Sequence, residues 1–440
     1  MICTRPALFA LVLGLATLLP AAPVQAQEHL FGSVDDPAEL PRPAWWMRSN
    51  HVEGLAGLSL IGAQWRSGSR IRAHLESRRA VLDLDGSVRA GIYGRYDPDT
   101  DERYDILRAL RYARFDGQSL YLRVGVSDRT RMGHGLVMDY YQGAAIWDER
   151  TVGAEAALTG RFLRVSGMTS DVRMNRLLAG RVEFSPRGRL RVPGGLVIGV
   201  GLTTDRRFPE EGPRVPTARE LDIRLTAARS GGFRLEPFAA AAEYLRYGRG
   251  FMLGADLQTD NFIDLARLHA RLAVQYAEDR FVPGYFGSFY EVNNPSAEVI
   301  ASETLGEGPA IGIGSASAGT YLLSEFRLVF FESFEFRTAF RRYFGNQRLS
   351  TFHVRVFLRT SNLFFSFGED RAGLNGFLGL FNDVGDLSVM SFRADYRLTG
   401  PLWLAVDARY AYQFILETDE VSRYAAQRRF EPFVGFRVDL

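Results

Sequence analysis

Histidine, serine and carboxylate side chains offer this 440-residue chain its widest range of chemistry. The six histidines, His29, His51, His74, His134, His269 and His353, are scattered, with no HExxH arrangement or similarly tight pair. Metal chemistry therefore lacks a ligand set, and neither a metal nor another cofactor is expected. Ser127, His134 and Asp139 supply the residue types of a nucleophile, a base and an orienting acid. Hydrolysis would need the first two within proton-transfer reach and the third holding the base, and the spacing does not establish that convergence. No catalytic residue is assigned, and the chain is read as a non-enzyme, with a barrel hydrolase as the minor alternative. The Gly133-His134-Gly135 run has neither the GxGxxG spacing nor the lysine of a phosphate loop, so its glycines are read as permitting a bend or a close strand approach.

The denser signal is charge that alternates with oil. In FEFRTAFRRYF, residues 334–344, Phe334, Phe336, Phe340 and Phe344 share one parity while Glu335, Arg337 and Arg341 share the other. A strand sends successive side chains to opposite faces, so such a segment has an oily side and a charged side. The same construction sets Leu322, Phe326, Leu328 and Phe330 against Glu325 and Arg327, and Val354, Val356 and Leu358 against His353, Arg355 and Arg359. Near the end it sets Phe392, Ala394, Tyr396 and Leu398 against Arg393, Asp395 and Arg397, and Leu404, Val406 and Ala408 against Asp407 and Arg409. If the charged face lines a wet interior, guanidinium groups attract anions there without undergoing chemistry, and the carboxylates neutralise them or set up a transverse field. The expected lumen or selectivity residues are Arg337, Arg341, Arg355, Arg359, Arg393, Arg397 and Arg409 with Glu325, Glu335, Asp395 and Asp407.

The elements that must carry these residues follow from the whole chain. With 46% hydrophobic and 24% charged residues it can form a large folded body. Residues 6–20 are a short apolar run behind Arg5, followed by Val24 and Ala26 at small-residue positions, the pattern of a signal peptide spanning 1–26. Cys3, the single cysteine, falls inside it, so the mature chain would hold no disulfide. All 53 basic residues are arginine, and removing Arg5 leaves 52 positive against 51 negative, a balance that gives no warrant for nucleic-acid binding.

Beyond the signal no apolar run has the length of a membrane helix. Strand candidates instead recur from 55–65 and 69–76 through 374–381 to 430–440. A soluble sandwich would also alternate, but long strands with aromatics at the ends of the oily face and paired charges opposite fit a transmembrane barrel better. Closure is required because an open edge is unsatisfied in lipid. The segment 262–276 is ambiguous, since its Ala, Leu and Arg also favour helix, and is read as a strand from its surroundings. The expectation is an all-β fold, a single antiparallel transmembrane barrel of about 18 strands with a range of 16–20. Residues 27–50, with Trp45 and Trp46, form a periplasmic lead-in or small plug; 51–440 form the barrel. A long outer loop is expected near 278–312, with shorter ones at 205–217 and 415–429.

The signal, the alternating strands and the final FEPFVGFRVDL together resemble bacterial outer-membrane β-barrel proteins of the porin-like kind. The glycine-rich 123–144 is similar to segments of poorly characterised members of that group. In such proteins the last strand is recognised by the outer-membrane assembly machinery and often ends in an aromatic; here Phe436 and Val438 keep the alternation and Leu440 departs from it. The resemblance implies a bacterial outer-membrane location, lipid and assembly-machinery partners, a homo-oligomer as an option, and passive diffusion of ions or small polar solutes. A gated transporter of a specific hydrophobic or larger substrate, and a structural or adhesion barrel, are the alternatives.

Overall fold

The computed structural model describes residues 50–440 except 78, 93, 97–98, 100–103, 118, 128, 146–149, 187–194, 208–216, 231–232, 263–265, 294–315, 332, 378, 380–386 and 415–423. The expected signal peptide and all but the last residue of the lead-in thus lie outside the described residues. The strands are β1 (His51–Ile61), β2 (Gln64–Glu76), β3 (Ala80–Gly91), β4 (Gly94–Arg95), β5 (Leu110–Asp116), β6 (Leu120–Val126), β7 (Val152–Thr159), β8 (Leu163–Thr169), β9 (Leu177–Phe184), β10 (Leu196–Asp205) and β11 (Ala218–Leu225). They continue as β12 (Ala228–Ser230), β13 (Phe233–Tyr244), β14 (Arg249–Phe262), β15 (Ala266–Ala277), β16 (Gly319–Phe330), β17 (Phe334–Phe344), β18 (Ser350–Arg359), β19 (Leu363–Leu374), β20 (Leu387–Thr399), β21 (Leu402–Phe414) and β22 (Tyr424–Asp439).

Each strand pairs antiparallel with the next, and β22 pairs antiparallel with β1, from His51 opposite Asp439 to Ile61 opposite Arg429, so the sheet closes on itself. The two-residue β4 pairs only with β3, and β11 and β12 both pair with β13 as one interrupted strand, which leaves 20 staves in the wall. The expected count of about 18 is therefore corrected to 20. Tight turns account for part of the difference. Gly62, at φ +61°, reverses the chain in two residues between β1 and β2, so the neighbouring candidates at 55–65 and 69–76 are separate staves. In the candidate at 374–381, Leu374 ends β19, the described residues 375–377 and 379 are not strand, and 378, 380 and 381 lie outside the described residues. Of the ambiguous 262–276, Phe262 ends β14, 263–265 lie outside the described residues, and 266–276 are strand, with β15 in continuous register with β16 from Ala266 opposite Phe330 to Ala277 opposite Gly319.

The wall is oily outside and charged within. Leu58, Ile71, Val88, Leu158, Val200, Leu221, Leu253, Leu272, Val274, Val434 and Phe436 lie on the outer face and are exposed. Phe334, Phe336, Phe340 and Phe344 share that face, while Glu335 and Arg341, on the opposite parity, are buried. The two rims differ as well. One holds both ends of the barrel chain and turns of two or three residues, such as 77–79, 160–162, 360–362 and 400–401, with a longer connection at 185–195. The other carries the long connections 92–109, 127–151, 206–217 and 278–318 beside shorter ones such as 62–63. Two of these long connections determine what the lumen is.

Candidate functional site

On the arc formed by β20, β21, β22, β1, β2 and β3, the inner face is an ion lattice. Asp407 of β21 receives hydrogen bonds from Arg70 and Arg72 of β2, and Arg70 also binds Asp85 of β3. Arg72 is 3.5 Å from Asp395 and 3.7 Å from Glu53. Arg89 donates to Glu431 at 2.7 Å and to Asp99 at 2.6 Å, Ser59 donates to Glu431 at 2.9 Å, and Arg393 donates to Asp395 at 2.9 Å. Asp407 is 2% exposed and Arg70 5%, so these charges satisfy one another across the arc instead of facing open water. Buried ions persist only when paired and hydrogen-bonded in this way.

Across the barrel, from β8 to β17, much of the inner face is apolar and often small: Ala179, Ala218, Phe238, Ala240, Ala242, Tyr244, Met252, Ala273, Ala277, Tyr321, Leu323 and Tyr343. Two segments from the long-connection rim fold down against it. In residues 127–145, Thr130 and Tyr141 exchange backbone hydrogen bonds, and the Met132 amide donates to the Met138 carbonyl at 3.2 Å, making an inner hairpin. Gly133 (φ +58°) and Gly135 (φ +82°) form its tip, where the left-handed turn conformation favours glycine; a Cβ on Gly133 would sit 2.8 Å from the ends of the Arg181 and Glu220 side chains, which would have to shift. Residues 278–293 lie beside the hairpin, with Gly284 donating to Leu136 at 2.8 Å and Met138 bridging Phe286 in parallel. Met132, Leu136, Val137, Met138, Tyr141, Phe281, Phe286 and Tyr290 then pack into the apolar wall as one cluster. Residues 278–293, the first part of the long loop expected near 278–312, fold into the lumen, because their aromatic side chains have a lumenal apolar surface to bury. The rest of that loop up to 312, residues 294–312, lies outside the described residues.

Polar anchors tie this plug to the wall. Arg341 of β17 binds both segments at once, donating to the Pro283 carbonyl at 2.8 Å, the Gly135 carbonyl at 3.0 Å and Asp139 at 2.6 Å. Asp370 of β19, fully buried, accepts from Arg129 of the hairpin at 2.6 Å and Arg355 of β18 at 3.0 Å, and lies 2.8 Å from His353. Tyr140 donates to Glu325 at 3.1 Å and stacks on His353 at 4.0 Å. Arg129 and Tyr140 hold positive φ of 52° and 54°, a conformation that non-glycine residues keep only when their surroundings impose it. In the second segment Tyr290 donates to Asp205 at 2.8 Å, and Glu291 accepts from Tyr141 and Arg207 at 2.6 Å each. Burial, reinforced by the Glu291 carboxylate, holds the Tyr141 phenol well above its ordinary range, so it serves as a donor.

The residues expected to line the lumen fall into different settings. Arg341 and Glu325 hold the plug, and Arg355 shares Asp370 with it. Asp395, Asp407 and Arg393 belong to the ion lattice, and Arg409 lies on the same inner face opposite Arg429. Glu335 accepts from Arg327 at 2.8 Å, with Arg337 at 3.4 Å. Arg359, 4% exposed and in no ion pair among the described residues, lies 6.0 Å from the Phe357 ring centre and 5.6 Å from that of Phe364. Arg397 is exposed at the short-turn rim, donating to the Gly400 carbonyl at 2.7 Å. Tyr412 shares the oily parity of β21 yet is 6% exposed, because at the long-connection rim it packs beside Phe289 and Ala145 of the plug.

Ser127, His134 and Asp139 are each engaged elsewhere or alone. His134 stacks on Phe238 at 4.0 Å with its Nε2 3.5 Å from Asp222, Asp139 accepts from Arg131 and Arg341, and the Ser127 hydroxyl has no hydrogen-bond partner among the described residues. Burial holds the His134 imidazole below its ordinary value of 6.5 despite the opposing pull of Asp222, so it is neutral at pH 7. No metal-binding group of three or more ligand side chains occurs among the described residues.

The plug was the part that strand parity did not disclose. Its sequence signal was present on the wall: at inner positions β13 carries Phe238, Ala240, Ala242 and Tyr244 where a water-filled lumen would call for polar groups.

No known family model matches the chain, and no curated protein does. Solved structures with which it aligns include Acinetobacter baumannii OccAB2, at 10% identity over 89% of this chain and 98% of that one, TM-score 0.34. The outer-membrane protein opdK from Pseudomonas aeruginosa aligns at 10% identity over 89% and 99%, TM-score 0.34. Wzi, a carbohydrate-binding barrel from Escherichia coli, aligns at 9% identity over 90% and 85%, TM-score 0.35. Scores this low carry no functional argument, which rests instead on the geometry of the lumen.

Proposed function

We propose that the protein is an outer-membrane channel through which ions or small polar solutes pass by diffusion, narrowed by the inward-folded segments 127–145 and 278–293. The observation that carries this reading is the closed wall of 20 staves, oily outside and charged within, whose lumen is occupied by two rim connections. Only a barrel satisfies every backbone group of a sheet in lipid, and its polar lumen is the one hydrated route across. At about 4.8 Å per strand and a tilt of about 40°, 20 staves in a circular section give a wall diameter of about 40 Å. Such a wall unfilled would leave a large hole, and the plug supplies the size limit. Arg337, Arg355, Arg359 and Arg393, on the inner faces of β17, β18 and β20, are the proposed selectivity side chains, acting as fixed charges, Arg355 beside the plug and Arg393 in the ion lattice.

A gated route for a larger or hydrophobic substrate would need an opening through the wall. The outer face has a groove over β14–β17, lined by Leu257, Leu272, Ser324, Phe326, Thr338 and Phe340. The ladders β15–β16 and β16–β17 run beneath it in unbroken register, which favours the axial path.

Liposomes holding the purified, folded protein test the proposal through solute flux. Monovalent salts and small neutral solutes should enter at rates well above those of empty vesicles, and oligosaccharides should be excluded. Absence of flux for every solute would refute a channel.

A further inference from the structure

The long-connection rim exposes a basic band on the outer face of one arc. Arg219 of β11, Arg249 of β14 and Arg342 of β17 are exposed and lie on the lipid-facing parity near that rim. Arg246, Arg280 and Arg348 are exposed in the adjoining connections. Carboxylates on the same arc are fewer: Glu243 stands in register opposite both Arg219 and Arg249, 3.6 Å from the latter, and Asp279 is exposed beside Arg280, while Arg342 makes no ion pair among the described residues. Directly beside the band the outer face is aromatic, with Phe251 and Tyr276 facing each other in register and Phe344 stacked by Arg342 at 4.7 Å. At the opposite rim the described turns 360–362 and 400–401 are Thr-Ser-Asn and Gly-Pro, and Arg161 and Arg397 are exposed there.

We infer that this arc is a docking surface for the phosphate-bearing headgroups of membrane lipids, with the acyl chains lying on the oily wall below. Aromatic side chains mark the level where hydrocarbon gives way to headgroups, which places the arginines at headgroup depth. A guanidinium presents a planar fork that matches phosphate in bidentate fashion. Arg219 and Arg249 are two strand spacings apart in direct register, roughly 10 Å at about 4.8 Å per spacing, a separation suited to a headgroup carrying more than one phosphate, while Arg342 lies three spacings from Arg249 and four residues along the strand from its register position, roughly 20 Å away and within reach of a neighbouring headgroup.

The test uses the full protein in phosphatidylcholine nanodiscs doped with diphosphorylated lipid A, its monophosphorylated form, or a phosphate-free glycolipid, with retained lipid counted by native mass spectrometry. Retention should rank diphosphorylated above monophosphorylated above phosphate-free. The R219Q/R249Q/R342Q variant should lower retention of the diphosphorylated lipid at least fivefold, while R161Q/R397Q at the other rim leaves it unchanged. Should the triple variant fail to fold, R249Q and R342Q singly should each lower retention by at least twofold. Equal retention by the basic-band variants, equal retention of the phosphate-free glycolipid, or complete displacement by millimolar inorganic phosphate would overturn the inference. Flux through the lumen is read separately and does not enter this outcome.

Discussion

Two halves of one lumen solve the problem of a wide barrel differently. On the arc from β20 through β1 to β3, opposed charges reaching across the inner face fill the space themselves, centred on Asp407 of β21 and Arg70 and Arg72 of β2. On the arc from β8 to β17, alanines and aromatics leave room and an apolar surface, and two rim connections fill it. The first filling belongs to the wall and cannot leave it without breaking buried ion pairs. The second is attached through packing and a few side chains, of which Arg341 holds both segments. The contrast assigns rigidity to one half and adjustability to the other.

The largest test of that contrast lies in the rigid half. Asp407→Ala leaves Arg70 and Arg72 without their shared carboxylate and should destabilise the barrel by about 3–5 kcal/mol, read as a lower urea midpoint for unfolding in micelles. An unchanged midpoint would mean that the lattice is decorative. A smaller effect is expected in the other half. Ala242→Leu overfills the surface on which the plug rests and should weaken docking by about 1–3 kcal/mol, seen as faster tryptic cleavage after Arg129 or Arg131 with the barrel intact. Slower cleavage or loss of the whole barrel would contradict a separable plug.

The smallest effect is in pH. The folded His134 lies below its ordinary 6.5, so the released segment binds the proton more tightly. The stabilisation of the docked hairpin is therefore complete above about 6.5 and declines as pH falls below it toward the folded value, by no more than about 1.4 kcal/mol per pH unit. Tryptic cleavage of the hairpin should rise on acidification from pH 7 to 5.5 relative to a cleavage control of the same pH dependence, and His134→Gln should flatten that rise.

What could be read beforehand follows the same division. Parity in segments such as FEFRTAFRRYF separates Phe336 and Phe340, on the outer wall, from Glu335 and Arg341, within, because a strand's two faces are a local property. The number of staves depended on turns of two or three residues, where the pattern runs on across the break, as at Gly62. The fate of 127–145 and 278–293 was not local at all. Whether Phe281 and Phe286 face outward or inward is decided by Ala240, Tyr244 and Leu323, which are remote in sequence and become a receiving surface only after closure. The same holds for Arg341, whose parity shows that it points inward but not that it grips Gly135 and Pro283.

Unitary conductance across a planar bilayer tests the central claim most directly, with wild-type protein compared with Arg341→Ala. The lumen described here predicts a small wild-type conductance that rises severalfold, with noisier open states, when the residue joining both plug segments is removed. Identical conductance and identical noise in the two proteins would contradict a passage set by the inward-folded segments.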